Sequence, residues 1–332
     1  MAGLFFLSFI IETLVNFGQN FFVMSLLVIG TVAYDAIETP FGKTDKILGG
    51  AATFISLSAS LFTKNINLVS VIGEDFEQKY IDLFKDKGIN IDGLKIVRGG
   101  KTFFWSGRYH MDMNTRDTLE TQLNVLADFD PEIPDQYQDC QYLMLGNLDP
   151  VIQKKVIEKL HNRPKLIVMD TMNFWMENRL PELLETLKLV DVLSINDEEA
   201  RMLSNEYSLV KAAKKILDLG PKYLIIKKGE HGALLFNRES KVFFAPALPL
   251  EDVFDPTGAG DSFAGGFIGY LASVKRTDFE SMKRAIIYAS AIASFCVEKF
   301  GTERLVDLSK EELFERVQEF IDLVQFEIEI ED

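Results

Sequence analysis

From Ser25 onward, short apolar runs rich in β-branched residues alternate with amphipathic stretches of helical period. The runs Leu26–Ile29, Leu68–Val71, Leu166–Met169, Val192–Ile195, Tyr223–Ile226 and Ala233–Phe236 are mostly continuous in apolar residues. Strands of that kind are buried on both faces, as in a parallel sheet covered by helices. The stretches Ala52–Leu61, Glu77–Lys87, Pro181–Leu187, Leu209–Leu217, Met282–Val297 and Lys310–Leu323 supply the helices. Pro181 suits an early helical position, and Gly220 before Pro221 suits a stop. The alternation predicts an α/β fold, a doubly wound and mostly parallel sheet with helices on both faces.

One segment breaks the rhythm. Between Gly93 and Leu126 the pattern reads as short strands, Leu94–Val97, Thr102–Tyr109 and Thr118–Leu123. Thr102, Phe104, Ser106 and Arg108 alternate with Phe103, Trp105, Gly107 and Tyr109, so one face is the more aromatic. Such an excursion from an α/β body reads as a lid or a dimer clasp, a plain solvent-facing hairpin being the alternative. No repeat, low-complexity linker or domain break is visible, so residues 24–325 read as a single domain.

The ends stand apart. Residues 1–23 are apolar and rich in Phe, but no Lys or Arg precedes Lys43, as a secretory signal would require. Glu12, Asn16, Gln19 and Asn20 interrupt the stretch as a membrane span. It reads as an extension of doubtful origin, with a weak anchor or a packing helix as alternatives. Residues 326–332 form an acidic tail of alternating Glu and Ile.

A formal net charge of -15 argues against nucleic acid and anionic membranes as partners. Two distant cysteines, Cys140 and Cys296, make neither a disulfide framework nor a thiolate metal site, which fits a reducing, cytoplasmic compartment. His110, His161 and His231 have no metal-ligand spacing.

The segment with the strongest chemical signal runs from Asp255 to Phe267, Asp-Pro-Thr-Gly-Ala-Gly-Asp-Ser-Phe-Ala-Gly-Gly-Phe. Pro256 and the turn Gly258-Ala259-Gly260 end any preceding strand, and the small apolar run from Ser262 reads as a buried helix. Successive N–H groups of Gly258, Ala259 and Gly260 at a helix N-terminus would cradle an anion. A transferring phosphoryl group needs such a cradle, and Asp261, one residue on, is placed to accept an acceptor hydroxyl's proton. No Gly-Lys-Ser/Thr follows the glycines, so this is not the loop of P-loop NTPases.

This run resembles the C-terminal signature of the ribokinase-like (PfkB) carbohydrate and nucleoside kinase family, and the resemblance extends from about Ser25 to about Leu323. It implies a three-layer sandwich around a central mostly parallel sheet, with a small β-lid formed by about residues 35–43 and 93–126. It makes Asp261 the catalytic base, with the Gly258–Gly260 amides as the anion hole. Asp35, after Gly30-Thr31-Val32-Ala33-Tyr34, is similar to a family aspartate that binds substrate hydroxyls, although alone it reads equally as a loop acid or helix cap. Gly49-Gly50 resembles the family's paired-glycine substrate motif, with Thr53 where the family often has Asn. Asp170-Thr171-Met172-Asn173 is similar to a motif lining the cleft, which makes Asn173 a further substrate candidate.

On the nucleotide side, Asn196-Asp197-Glu198-Glu199 has the Asn-x-x-Glu spacing that the family uses to organise Mg²⁺, often through water, and equally that of a capping box. Lys228, Gly229 and Gly232 resemble the loop bordering the nucleotide, and Thr257 lies in the signature run itself. Lys227 departs from the pattern, standing where many members have Thr or Ser. The resemblance further implies ATP and Mg²⁺ as cofactors and a K⁺ ion near Asp255 in some members; the dimer-clasp reading of the excursion adds a homodimer through the lid as an alternative.

The function expected is transfer of the γ-phosphoryl of ATP to a hydroxyl of a small sugar or nucleoside. A non-catalytic sugar or nucleotide sensor on the same fold is the alternative. A Rossmann-type oxidoreductase is not supported, because Gly30-Thr31-Val32 does not supply Gly-x-Gly-x-x-Gly after the first strand.

Overall fold

The computed structural model describes residues 25–325; both the N-terminal extension and the acidic tail lie outside the described residues. Nine strands form the main sheet: β1 (Leu26–Ile29), β5 (Ile66–Gly73), β6 (Ile89–Val97), β9 (Tyr142–Leu145), β10 (Leu166–Asp170), β11 (Val192–Asn196), β12 (Tyr223–Lys227), β13 (Ala233–Asn237) and β14 (Val242–Ala245). Their order is β14-β13-β12-β11-β10-β9-β1-β5-β6, parallel throughout except for the antiparallel pairs made by β13. β1, β9 and β10 are buried at every position, because helices cover both faces.

A smaller five-stranded sheet is built from β2 (Ala33–Thr39), β3 (Gly42–Lys43), β4 (Ile47–Gly49), β7 (Phe104–Tyr109) and β8 (Arg116–Gln122). β2 stands at its centre, antiparallel to β3 and β4 and parallel to β7. The expected lid segment 93–126 therefore divides. β6, which includes Leu94–Val97, pairs with β5 at the edge of the main sheet, and only β7 and β8 of that segment join the smaller sheet. An edge strand half open to water shows the same polar-apolar alternation as a lid strand, which is why the two look alike in sequence.

The helices are α1 (Ala51–Ala59), α2 (Gln78–Asp86), α3 (Pro150–Lys159), α4 (Asn173–Asn178), α5 (Leu180–Leu187), α6 (Asp197–Ser204), α7 (Leu209–Asp218), α8 (Ala259–Val274), α9 (Phe279–Cys296), α10 (Glu303–Asp307) and α11 (Lys310–Val324). All nine residues of α1 are buried, since it lies between the sheet and α8. Gly265 makes that approach possible: a β-carbon there would sit 2.3 Å from the Ile55 carbonyl oxygen. Two apolar cores result, one on each face of the sheet, and Leu26 and Val28 point into one while Leu27 and Ile29 point into the other. Neither β9 nor α3 is among the elements expected from sequence.

Candidate active site

The strand order reverses at β1: the chain steps to β5 and β6 on one side and to β9 through β12 on the other. Doubly wound sheets bind ligands at the carboxyl edge beside such a reversal. Here Asp170 ends β10, Asn196 ends β11 and Lys227 ends β12, with Asn196 and Lys227 directly in register. Three neighbouring strands thus deliver polar side chains to one edge.

The loop before α8 is held by Asp255, which is fully buried. Its Oδ1 accepts from the Thr257 N–H and its Oδ2 from the Gly301 N–H, each at 2.8 Å. Gly258 caps the helix at φ 77, with the Phe54 ring so close that a β-carbon would lie 2.4 Å from it. A side chain is excluded there by space and by backbone conformation alike. The Ala259 N–H donates to the Pro256 carbonyl at 3.2 Å. Among the described residues no backbone carbonyl takes the N–H of Gly260 or Asp261, so the first turn of α8 presents both donors and a positive dipole end.

Asp261 sits on that first turn. Burial pushes its carboxyl up to about 7, repulsion from Asp170 adds to the rise, and Lys227 and Arg116 oppose it. Glu199 is pushed up to about 7 by burial and by Asp170, against the pull of Lys227. Lys227 Nζ pairs with Asp170 Oδ2 at 2.8 Å. Burial lowers the Lys227 pKa, but Asp170, Glu199 and Asp261 together outweigh it and leave a net rise. The site is therefore acidic, with more carboxylates than cations to pair them.

Where an acceptor is expected, Asp35 lies on β2 and is buried. Burial, then repulsion from Asp255, raises it to about 7, while a bond from the Gly50 N–H resists the rise. Gly50 adopts φ 91 with a β-carbon position 2.5 Å from the Thr31 carbonyl oxygen. The buried Thr53 hydroxyl donates to the Gly49 carbonyl at 2.7 Å and so holds the paired-glycine turn. Asn173 is exposed at the start of α4, and its Oδ1 accepts from the N–H of Phe174.

Where the nucleotide is expected, the Asn196 side chain accepts from the Glu199 N–H at 2.7 Å, and Glu199 Oε2 accepts from the Asn196 N–H at 2.8 Å. The capping box is complete and leaves Glu199 Oε1 outside it. Lys228, Gly229 and Gly232 form the turn between β12 and β13, with the Lys228 N–H donating to the Gly232 carbonyl. Gly229 and Gly232 take φ 54 and 81. The smaller sheet meets the loop before α8 through the Thr257 hydroxyl, which donates to Tyr109 Oη at 3.2 Å, and through the rings of Phe41 and Phe254, whose centroids lie 5.8 Å apart. Asp261 thus lies close enough to Asp35 to help raise its pKa, whereas Asn173 is exposed on α4.

Two residues of this cluster stand out less in sequence: Asp170 only opens the cleft-lining Asp170–Asn173 motif, and Lys227 has no assigned role. Lys227 is visible there only as a departure from a motif. Its pairing with Asp170, 57 residues earlier, is not.

Among the described residues no three His, Cys, Asp or Glu side chains converge as a ready metal cage. Mg²⁺ does not need one, because it keeps waters and binds through one or two carboxylates together with substrate phosphates. The excess of carboxylate over cation around Asp170, Glu199 and Asp261 fits a divalent ion.

A doubly wound sheet with a β-lid at its carboxyl edge, and an aspartate on the first turn of a glycine-rich helix there, define a ribokinase-fold small-molecule phosphotransferase. The chain belongs to the pfkB family of carbohydrate kinases, whose model matches residues 24–307. It is 31% identical over 254 residues to a cytidine kinase from Thermococcus kodakarensis, covering 75% of this chain and 89% of that one. A ribokinase structure from Giardia lamblia superposes with a TM-score of 0.76 at 16% identity, covering 90% of this chain and 99% of that one. A ribokinase-II-type chain from E. coli, in complex with ATP and Mg²⁺, gives a TM-score of 0.71 at 20% identity, covering 89% and 99%. Among the described residues no helix is long and apolar enough to cross a membrane.

Proposed function

We propose that the protein transfers the γ-phosphoryl group of ATP to a hydroxyl of a nucleoside or free sugar, with Asp261 as the base. The observation that carries this reading is the position of Asp261. It is a carboxylate one residue beyond the Gly258–Gly260 turn, on a helix end that offers N–H groups to an anion, and Asp35 faces it across the cleft. As the acceptor oxygen bonds to phosphorus, the bond from phosphorus to the bridging oxygen of ADP breaks and the hydroxyl proton passes to Asp261. The Gly260 and Asp261 N–H groups stabilise the charge that develops on the phosphoryl oxygens.

Asp35 and the Gly49-Gly50 turn hold the acceptor's hydroxyls, with Thr53 fixing the turn and Asn173 at the margin. Asn196, the Lys228–Gly232 turn and Thr257 border the nucleotide. Glu199, with Asn196, would hold Mg²⁺ through water, and the ion would supply neutralisation of phosphate charge. The lid excludes water from the cleft when Tyr109 meets Thr257. The cytidine kinase relative supports a nucleoside acceptor, and the E. coli neighbour supports ATP and Mg²⁺. We assign the protein to the cytoplasm, in keeping with its two unpaired, buried cysteines. The wholly exposed strand β8 is the surface on which a second copy would pair, which sedimentation would test.

The test is an ATP-to-ADP coupled assay with Mg²⁺ over nucleosides, free sugars and sugar phosphates, run beside Asp261→Asn. A product made by the wild type and lost in the variant supports the reading and names the acceptor class. Repeating it with Na⁺ in place of K⁺ checks for a monovalent ion near Asp255. Ligand binding without any phosphorylated product would favour the sensor instead.

A further inference from the structure

We propose that Lys227 is a phosphate-holding residue whose ammonium, beside Gly260 at the N-terminal turn of α8, contacts the phosphoryl group seated on that turn. The inference rests on the kinase reading and adds to it a cationic group that the motif residues do not include.

Placement is the first argument. Lys227 is the last residue of β12, and its ammonium reaches Asp170 at the end of β10, so the side chain crosses the end of β11 between them. Two strand spacings are about 10 Å, which a lysine and an aspartate span together only when directed toward each other. On that path the ammonium also comes up against the helix: a β-carbon on Gly260 would lie 3.1 Å from Nζ. The side chain is thus held at the meeting point of the amide turn, Asn196 and Asp170, rather than ranging over the surface.

Donor count is the second. An ammonium has three N–H donors. Among the described residues Asp170 is the one hydrogen-bond acceptor for this one, although the side chain is only 18% exposed. Burying a cation with donors unused is costly unless another acceptor arrives. A phosphate oxygen on the Gly260 turn is such an acceptor, and a lysine serves phosphate as a compact point charge.

Charge is the third. Asp170, Glu199 and Asp261 all act on Lys227, and an anionic nucleotide entering beside three carboxylates would meet net repulsion without it. Arg116 acts on Asp261 and Glu199 as well, but from the exposed lid strand β8. Lys227 is the cation built into the sheet itself.

A purely structural role, as counter-ion to Asp170, predicts something different, and calorimetric binding separates the two without any turnover. ATP, ADP and adenosine are titrated into wild type, Lys227→Met and the double variant Lys227→Met/Asp170→Asn, whose site has lost both charges of the pair. If Lys227 holds phosphate, Lys227→Met weakens ATP about 10- to 100-fold while adenosine binds as before. The double variant stays weak for ATP, and Lys227→Arg recovers part of the loss. If the double variant regains wild-type ATP affinity, or if adenosine weakens as much as ATP, Lys227 is a structural counter-ion and the proposal fails. Should Lys227→Met not fold, the double variant and Lys227→Arg decide it by the same criteria. A wild type that binds no ATP overturns the kinase reading itself, whereas an ATP-binding wild type with unaffected variants overturns only the role of Lys227.

Discussion

The carboxylate of Asp35 fills the space that a β-carbon on Gly49 would need, with Oδ2 1.9 Å from that position. The two residues meet because β2 and β4 pair antiparallel, with Ile47 opposite Asp35 and Gly49 opposite Ala33. A missing side chain on one strand is what lets the carboxylate of the other lie down across it, where the Gly50 N–H reaches it. Gly49→Ala must therefore push the carboxylate out of place. We expect the acceptor KM to rise about 10-fold or more, since one charged hydrogen-bonding group is displaced, with nucleotide affinity nearly unchanged. Steady-state kinetics with each substrate varied in turn decides it. Equal damage to both would detach Asp35 from the acceptor half of the cleft.

Asp261→Asn separates function from stability. Removing the base should lower turnover by about two to four orders of magnitude. The same change should stabilise the ligand-free protein above neutrality. Folding raises the Asp261 pKa from its ordinary value to about 7, so the folded wild type holds a proton that the unfolded chain has released. Its stability therefore falls as pH rises from about 4 to about 7, and the variant, which cannot ionise, does not share that fall. The advantage of the variant should be near zero below pH 4 and level off above pH 7 at roughly 2–4 kcal/mol. Thermal melts of both proteins across that range would show it, and a constant offset between them at all pH values would contradict it.

The origin of that raised pKa also predicts a rate profile. A base must be ionised to work, so kcat/KM should climb with pH on an acidic limb through a region near 7, where Asp35 and Glu199 ionise as well, and then level off. After burial, Asp170 is the largest contributor to the rise. Asp170→Asn should accordingly move the limb to lower pH, whatever it does to the maximum rate. A limb that stays in place would mean that burial alone sets it.

Legibility in the sequence followed locality. The Asp255–Phe267 run carries its turn, its helix start and its aspartate within thirteen residues, so spacing alone implies their arrangement. The buried parallel strands are equally plain, because helices on both faces demand apolar residues at every position. β9 is harder: Tyr142-Leu143-Met144-Leu145 has four residues and no β-branched side chain, so nothing in it distinguishes strand from buried helix. The pairing of Lys227 with Asp170, and of Asp35 with Gly49, comes from strands brought together by the sheet. No local pattern encodes either contact.

The join between α1 and α8 ties the proposed acceptor half of the site to the half with the proposed base, since α1 starts at the Gly49-Gly50 turn and α8 carries Asp261 on its first turn. Gly265 and Gly266 look interchangeable in sequence but face different neighbours. A β-carbon on Gly265 would meet Ile55 backbone, with the oxygen at 2.3 Å and Cα at 2.7 Å, and neither atom can move without moving α1. On Gly266 it would meet the Ile292 Cδ1 methyl at 3.0 Å and the Ala289 Cα at 3.1 Å, contacts that yield with a rotamer change and a small shift of α9. Gly265→Ala should cost about 2–3 kcal/mol of stability, in the range of overpacked cores, and Gly266→Ala distinctly less. Because the displaced helix carries the turn beside Asp35, the acceptor KM of Gly265→Ala should also rise while that of Gly266→Ala holds. Urea midpoints at matched slopes, read beside those KM values, test both statements. Equal losses at the two glycines would mean that α1 and α8 do not pack as closely as the structure places them.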